Sequence, residues 1–239
     1  GSTYGGGHRR RMSAILPPGQ RERPDFPRFG LWPFARRFPR QTSRPEVRIT
    51  GDVEHEMVVS DALEGLTRVE QVSDFHCVTT WSCRSLHWGG VRFADFYERV
   101  IAPKARPLPD GKVFILRGQD GARSSMRLED LLAPDVLLAD TLDGRPLTIE
   151  HGAPLRLVAP AHYAYKSVKH LSRIEIRRDD AAFRPAAFRF MDHPRARVAL
   201  EERGRWFPGR LLRLLYRPLV PATVARFAKA MDEHRRSQR

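Results

Sequence analysis

Cys77 is the residue on which chemistry is most readily built. Val72-Ser73-Asp74-Phe75-His76 leads into it, and Val78, two threonines, Trp81 and Ser82 follow. A thiolate is a soft metal ligand and a nucleophile, and a nearby cation or metal lowers its pKa. A free cysteine among apolar neighbours is equally a small buried hydrophobe. Cys83 is the one other cysteine, so a single bridge is conceivable and a disulfide framework is not. A second group lies downstream. Gly152 and Pro154 mark a tight turn that leads to Arg156, and Tyr165-Lys166-Ser167-Val168-Lys169 follows. Two of the chain's five lysines flank Ser167. Compact ammonium charges beside a hydroxyl and backbone N–H groups suit a phosphate. The same composition also describes a solvated basic loop.

Positioning these groups requires short strands and a few helices. The run up to Cys77 predicts a buried strand with the cysteine at its mouth, followed by a polar, Gly-containing turn over 82–90. Val47–Val53 alternates and predicts an edge strand turning at Gly51-Asp52. Ser60 is a candidate cap for a short helix. Phe93, Phe96, Tyr97 and Val100 have helical spacing. Lys112–Leu116, Val136–Ala139, Leu155–Val158 and Leu171–Arg178 read as strands, with turns at Asp120-Gly121 and Asp143-Gly144. A short helix over 127–132 takes a capping-type start at Ser125. Many short strands without a βαβ rhythm predict a mixed α+β domain.

Cys77-Val78, Trp81-Ser82 and Trp88-Gly89-Gly90-Val91, followed far downstream by His151-Gly152-Ala153-Pro154-Leu155-Arg156 and Ser167-Val168-Lys169, resemble the molybdopterin-dependent oxidoreductases of the sulfite oxidase family. The match is to its small bacterial branch, similar to the catalytic subunit of periplasmic methionine sulfoxide reductase, and covers about residues 16–178. The resemblance implies a mixed-sheet or barrel-like molybdopterin-binding fold, a molybdenum-molybdopterin cofactor of undecided nucleotide form, and Cys77 as the protein ligand to the metal. It implies that His151, Arg156, Ser167, Val168, Lys169 and Lys166 hold the pterin and its phosphate. It implies further that Arg28-Phe29-Gly30 reach the pterin from the N-terminal segment and that Tyr163 stands near the metal as a candidate catalytic residue. Arg117 is carried over as cofactor-binding, and Arg117, Arg84 and Arg123 are the arginines available for a substrate anion. Two positions depart from the family pattern: His151 stands where Asn is frequent, and His170 where Trp often follows the last lysine. The activity implied is oxygen-atom transfer to or from a small molecule, with electrons exchanged through a separate electron-transfer protein or haem subunit.

The formal charge is +14, and its distribution matters more than its size. Residues 1–44 hold ten arginines against two acids, and residues 193–239 hold twelve Lys/Arg against four. The middle is therefore close to neutral. Such flanks read as solvated faces or as contacts for an anionic partner, so the rival reading is a non-enzymatic basic module for nucleic acid or an anionic membrane. No nucleic-acid motif is present, and no nucleic-acid partner is expected. The expected organisation is an extended Pro/Arg/aromatic segment over 1–45, a cofactor domain over 46–180, and a basic amphipathic helical extension over 181–239, as a monomer. Arg9-Arg10-Arg11 resembles a twin-arginine signal, but Pro17 and Pro18 interrupt the apolar region that would follow. A cytoplasmic protein is expected, or a periplasmic one if a leader has been trimmed. Leu211, Leu212 and Leu215 predict one face of a helix over 209–217, packed inward, with Arg210, Arg213 and Arg217 outward. Val224, Phe227, Ala228 and Met231 predict a second such stripe.

Overall fold

Period-two alternation is plainest in the strand Val47–Gly51, where Val47 and Ile49 are buried and Arg48 is exposed. The computed structural model describes residues 15–239, so the Gly-rich start and Arg9-Arg10-Arg11 lie outside the described residues. In chain order the strands are β1 (Arg21–Glu22), β2 (Val47–Gly51), β3 (Met57–Val59), β4 (Arg68–His76), β5 (Trp81–Arg92), β6 (Val113–Gly118), β7 (Arg123–Arg127), β8 (Leu137–Leu142), β9 (Arg145–Pro146), β10 (Arg156–Val158) and β11 (Leu171–Arg177). They form two open sheets. One runs β1-β5-β8-β10, with β4 on β5 and β9 on β8; the other runs β3-β2-β11-β6-β7. The α+β class is as expected, whereas the barrel-like closure is not formed, because the strands divide between two separate sheets. β2 is not an edge strand: it lies between β3 and a parallel β11.

The main core lies between the sheets. Val91, Leu138 and Leu157 from one meet Ile49, Phe114 and Ile174 from the other. A helical segment closes its side: α1 (Phe93–Phe96) continues into the π-helical stretch Tyr97–Ala105 and buries Phe93, Phe96, Val100 and Ile101. The opposite face of the first sheet is buried too. Leu137 and Ala139 turn away from Leu138, as strand geometry requires, and pack with Cys77, Trp81 and Trp88 under Phe26 and Phe29 of the N-terminal segment. A strand buried on both faces loses its polar alternation, which is why β8 reads as a plain apolar run.

One expected loop is regular structure. Residues 82–90 belong to the twelve-residue β5, and Gly89-Gly90 mark a bulge against β8. A Cβ on Gly90 would sit 2.0 Å from the Leu138 carbonyl, so the glycine serves strand approach rather than a turn. Ser60 begins a run of turns rather than a helix. Ser125 lies inside β7, and Arg127 precedes the short helix α2 (Leu128–Leu131). Both cysteines are free.

The two flanks pack on each other. Of the C-terminal helices α3 (Gly209–Tyr216) and α4 (Val220–Ser237), α4 buries Phe227 and Ala230 against Phe34 and Ala35. Trp32 donates its indole N–H to Thr223 Oγ1 at 2.9 Å, and Phe38 stacks on His234. The orientation of α3 differs from the expectation. Leu212 and Tyr216 are its buried residues, whereas Leu211, Leu214 and Leu215 are 54–63% exposed. Arg213 reaches Glu201 instead of solvent.

Candidate active site

β4 ends at His76 and β5 begins at Trp81, so the four residues between them form a turn with Cys77 at its start. Cys77 N–H donates to the Trp81 carbonyl at 2.8 Å, and Thr80 N–H donates back to the Cys77 carbonyl at 3.0 Å. The flanks hold this turn. Gln20 donates to the Cys77 carbonyl at 3.1 Å, Arg203 to Val78 at 2.8 Å, and Arg217 to Thr80 Oγ1 at 3.2 Å. The Cys77 sulfur lies 3.0 Å from Thr79 Oγ1 and is buried. Burial raises the Cys77 pKa, with the Thr79 hydrogen bond opposing it more weakly.

The sulfur faces a pocket of about 210 Å³. Phe26, Phe29 and Trp81 supply apolar wall, and Arg28, Arg156 and Lys169 supply charge. These three cations direct their hydrogen bonds to backbone carbonyls. Arg156 donates to His151 at 2.8 Å, to Ser167 at 3.1 Å and to Leu157 at 3.3 Å. Arg28 donates to Ala35 at 2.7 Å and Arg37 at 2.9 Å, and Lys169 to Glu150 at 3.4 Å. Burial lowers Arg156 to about 9. Burial, then the neighbouring Arg156 and Arg28, lower Lys169 to about 7. Buried cations without a paired carboxylate are costly, and a bound anion would restore their charge. His151 stacks on Phe26 at 4.5 Å, and burial with Arg156 and Lys169 lowers it to about 4, so its ring is neutral at pH 7.

Nine of the expected site residues line this pocket: Cys77, His151, Arg156, Ser167, Val168, Lys169, Arg28, Phe29 and Gly30. Three lie elsewhere. Lys166 is fully buried and donates to the Ser125 carbonyl at 2.7 Å and Pro194 at 3.2 Å, so it ties segments together behind the wall. Tyr163 is buried beneath Arg203, 5.0 Å from its ring, and is not part of the wall. Arg117 belongs to the other sheet and pairs with Glu175 at 3.1 Å. Of the other two arginines, Arg84 sits near Asp74 and Glu22. Arg123 does reach the pocket wall, its guanidinium tied to the Arg184 and Pro185 carbonyls.

Sequence reasoning missed Tyr216. This side chain comes from α3, is 4% exposed, lines the pocket, and its hydroxyl has no partner among the described residues. Burial pushes its pKa up to about 12, so it stays protonated at neutral pH. Its place four residues after Leu212, on the buried face of a helix, was the available signal.

The description "oxidoreductase molybdopterin binding domain" matches residues 36–183 as a family model. The chain belongs to this family. It is an oxidoreductase. YuiH, an uncharacterized oxidoreductase of Bacillus subtilis strain 168, is 34% identical over 172 residues, which are 71% of this chain and 82% of that protein. MsrP, the catalytic subunit of protein-methionine-sulfoxide reductase from Xanthomonas campestris, is 30% identical over 144 residues, 55% of this chain and 44% of MsrP. This chain thus spans under half the length of MsrP. The sulfane dehydrogenase SoxCD of Paracoccus pantotrophus aligns at a TM-score of 0.49 with 24% identity, over 57% of this chain and 38% of that one.

The family implies a molybdenum-pterin cofactor, and the pocket has the chemistry to receive one. Arg28 and Arg156 are buried and Lys169 half-buried, none of the three in a direct ion pair among the described residues although Asp120 and Glu150 also line the pocket, and the Cys77 thiol faces them. Among the described residues no three His, Cys, Asp or Glu side chains converge to cage a metal.

Proposed function

We propose that the enzyme performs oxygen-atom transfer of the sulfite oxidase or sulfoxide reductase kind, with Cys77 as the protein ligand to molybdenum. The observation that carries this reading is the convergence of the Cys77 thiol with Arg28, Arg156 and Lys169 on one pocket. When bound, the cofactor supplies the two-electron chemistry by which oxygen moves to or from a small molecule. The chain's own residues bind and orient. Lys169 and Arg156 offer charge to the pterin phosphate, and the Ser167 hydroxyl, which already accepts the Ala159 N–H at 3.0 Å, keeps a proton to donate. Neutral His151 donates one hydrogen bond and accepts another. Phe26, Phe29 and Trp81 exclude water. Thr79 can donate to the Cys77 sulfur, which tempers a thiolate formed in an apolar wall. The Tyr216 hydroxyl holds a proton ready for an oxygen atom in the pocket. Electrons are exchanged with a separate protein or haem subunit.

Metal analysis, together with fluorescence of the pterin released and oxidised from purified protein, tests the cofactor. The expected outcome is near-stoichiometric molybdenum and pterin. Cys77→Ser should keep the fold and most of the pterin yet lose at least about a hundredfold in turnover of sulfite or a sulfoxide, since a hard hydroxyl replaces a soft thiolate. Wild-type turnover in that variant with full metal content would exclude Cys77 as the ligand.

A further inference from the structure

Amphipathic helices of folded domains normally turn their apolar face inward. α3 reverses this. Leu212 and Tyr216 are buried, but Leu211, Leu214 and Leu215 project outward at 54%, 62% and 63% exposure. Trp206 (75%) and Phe207 (50%) extend the patch on one side, and Leu219 (46%) on the other. The Phe207 ring meets Phe190 at 5.9 Å, and Phe190 stacks on Phe188, itself 74% exposed. Eight of the thirteen large apolar side chains exposed among the described residues fall within 188–219. Apolar surface this concentrated marks an interaction site.

We infer that this patch is a membrane-binding face that docks on an anionic lipid surface. Charge points to that occupant. Residues 203–231 contain seven Lys/Arg and no Asp or Glu. The cations nearest the middle of α3 are drawn inward: Arg213 reaches Glu201 at 3.4 Å, and Arg217 donates to Thr80 and to the Gly19 carbonyl. Exposed Arg189 and Arg210 remain beside the hydrocarbon, with Arg21 near Arg217. An outward leucine-tryptophan face with arginines at its margin matches the interfacial region of a bilayer, with apolar side chains below the headgroups and guanidinium groups on lipid phosphates. An acidic protein would be met by arginines at the centre, where leucines stand instead. A second copy would find an eight-residue helix, about 12 Å long, as the middle of its interface. Residues 1–14 hold three arginines and six glycines and serines but few apolar side chains, so their composition is unsuited to covering leucines. No helix of the described residues is long and apolar enough to cross a membrane, so the contact lies on the surface.

The test is co-sedimentation of the full chain with vesicles of mixed phosphatidylglycerol and phosphatidylcholine, and of phosphatidylcholine alone. Wild-type protein should pellet with the anionic vesicles and be released by high salt. Its tryptophan emission should shift to the blue, and Trp206→Phe should remove most of that shift. The triple variant Leu211→Gln/Leu214→Gln/Leu215→Gln keeps good helix formers on an exposed face, so its far-UV spectrum and melting should match wild type. Its partitioning should fall by about tenfold or more. Several results would each overturn the proposal. Wild type that ignores anionic vesicles is one, and a triple variant that binds them as well as wild type is another. A wild-type dimer that the triple substitution turns into a monomer would assign the patch to a second copy. Vesicle binding that appears only after deletion of residues 1–14 would assign it to that segment. Binding to polyglutamate without binding to vesicles would assign it to an acidic protein.

Discussion

The two-sheet core and the two basic flanks are held together by different physics. The core is apolar and periodic: Ile49, Phe114, Leu138 and Ile174 are fully buried between sheets whose ladders satisfy the backbone. Among the described residues the flanks have little regular structure before residue 209, and arginine is their mortar. Arg28 binds the Ala35 and Arg37 carbonyls; Arg203, fully buried, binds Val78, Pro18 and Glu201; Arg217 binds Thr80 and Gly19. The core supplies Cys77, Arg156 and Lys169. The flanks clamp the Cys77 turn and bring Phe26, Phe29 and Tyr216 over the pocket. Positive charge that looks like a binding surface in the sequence is thus partly structural. A planar guanidinium donates to several carbonyls at once, and loops have many carbonyls to satisfy.

Four experiments press on this division. Phe114→Ala removes a ring at the centre of the core and should cost about 4 kcal/mol of unfolding free energy, read from denaturant melts, with cooperativity retained. Arg203→Met leaves the Val78 and Pro18 carbonyls without their donor and Glu201 with Arg213 alone, and should cost about 3 kcal/mol. Hydrogen exchange should show the loss at the Cys77–Thr80 turn while amides of β11 stay protected. Equal loss in both places would mean that core and flanks unfold as one unit, and the division fails. Acid should weaken the core next. His170 Nδ1–H donates to the Ala153 carbonyl at 2.6 Å, and burial lowers its pKa to about 4. The unfolded chain therefore binds more protons than the folded one between about 6.5 and 4, and stability is present above that window and lost as pH falls through it. Going from pH 7 to 5 should cost about 2 kcal/mol through His170 alone, and His170→Gln should flatten the profile. The smallest stability effect belongs to Tyr216→Phe. Its hydroxyl has no partner to lose, so the melt should stay within about 1 kcal/mol of wild type, while turnover falls. A large drop in stability would show that the hydroxyl is structural.

Much of the core was legible in order. Alternation located β2 and β11, the apolar runs located β6 and β8, and helical spacing over Phe93–Val100 located the segment that closes the core. The candidate site was legible because motif residues distant in sequence, Cys77 and His151–Lys169, were read together. Where the reading went astray, a glycine or a polar residue served a purpose that local rules do not encode. Gly89-Gly90 looked like a turn because close strand approach and chain reversal both favour glycine. Lys166 looked like a phosphate ligand because its neighbours Ser167 and Lys169 line the pocket. In a short 3-10 turn over Ala164–Lys166, one step along the chain points a side chain away from them.

By itself the sequence determined the α+β class, the family, a cysteine at the end of a strand and the concentration of charge in the flanks. These follow from local periodicity, residue type and motif order, which are properties of neighbouring positions. Tertiary structure alone decided which arginines are mortar and which remain available, that two open sheets form, and that Tyr216 from the far C-terminus completes the pocket. It also decided the facing of α3. A helix with leucines on one side and arginines on the other is amphipathic in either orientation. Only the Thr80 hydroxyl, the Gly19 carbonyl, the carboxylate of Glu201 and the apolar seat of Leu212 and Tyr216 determine which side turns in.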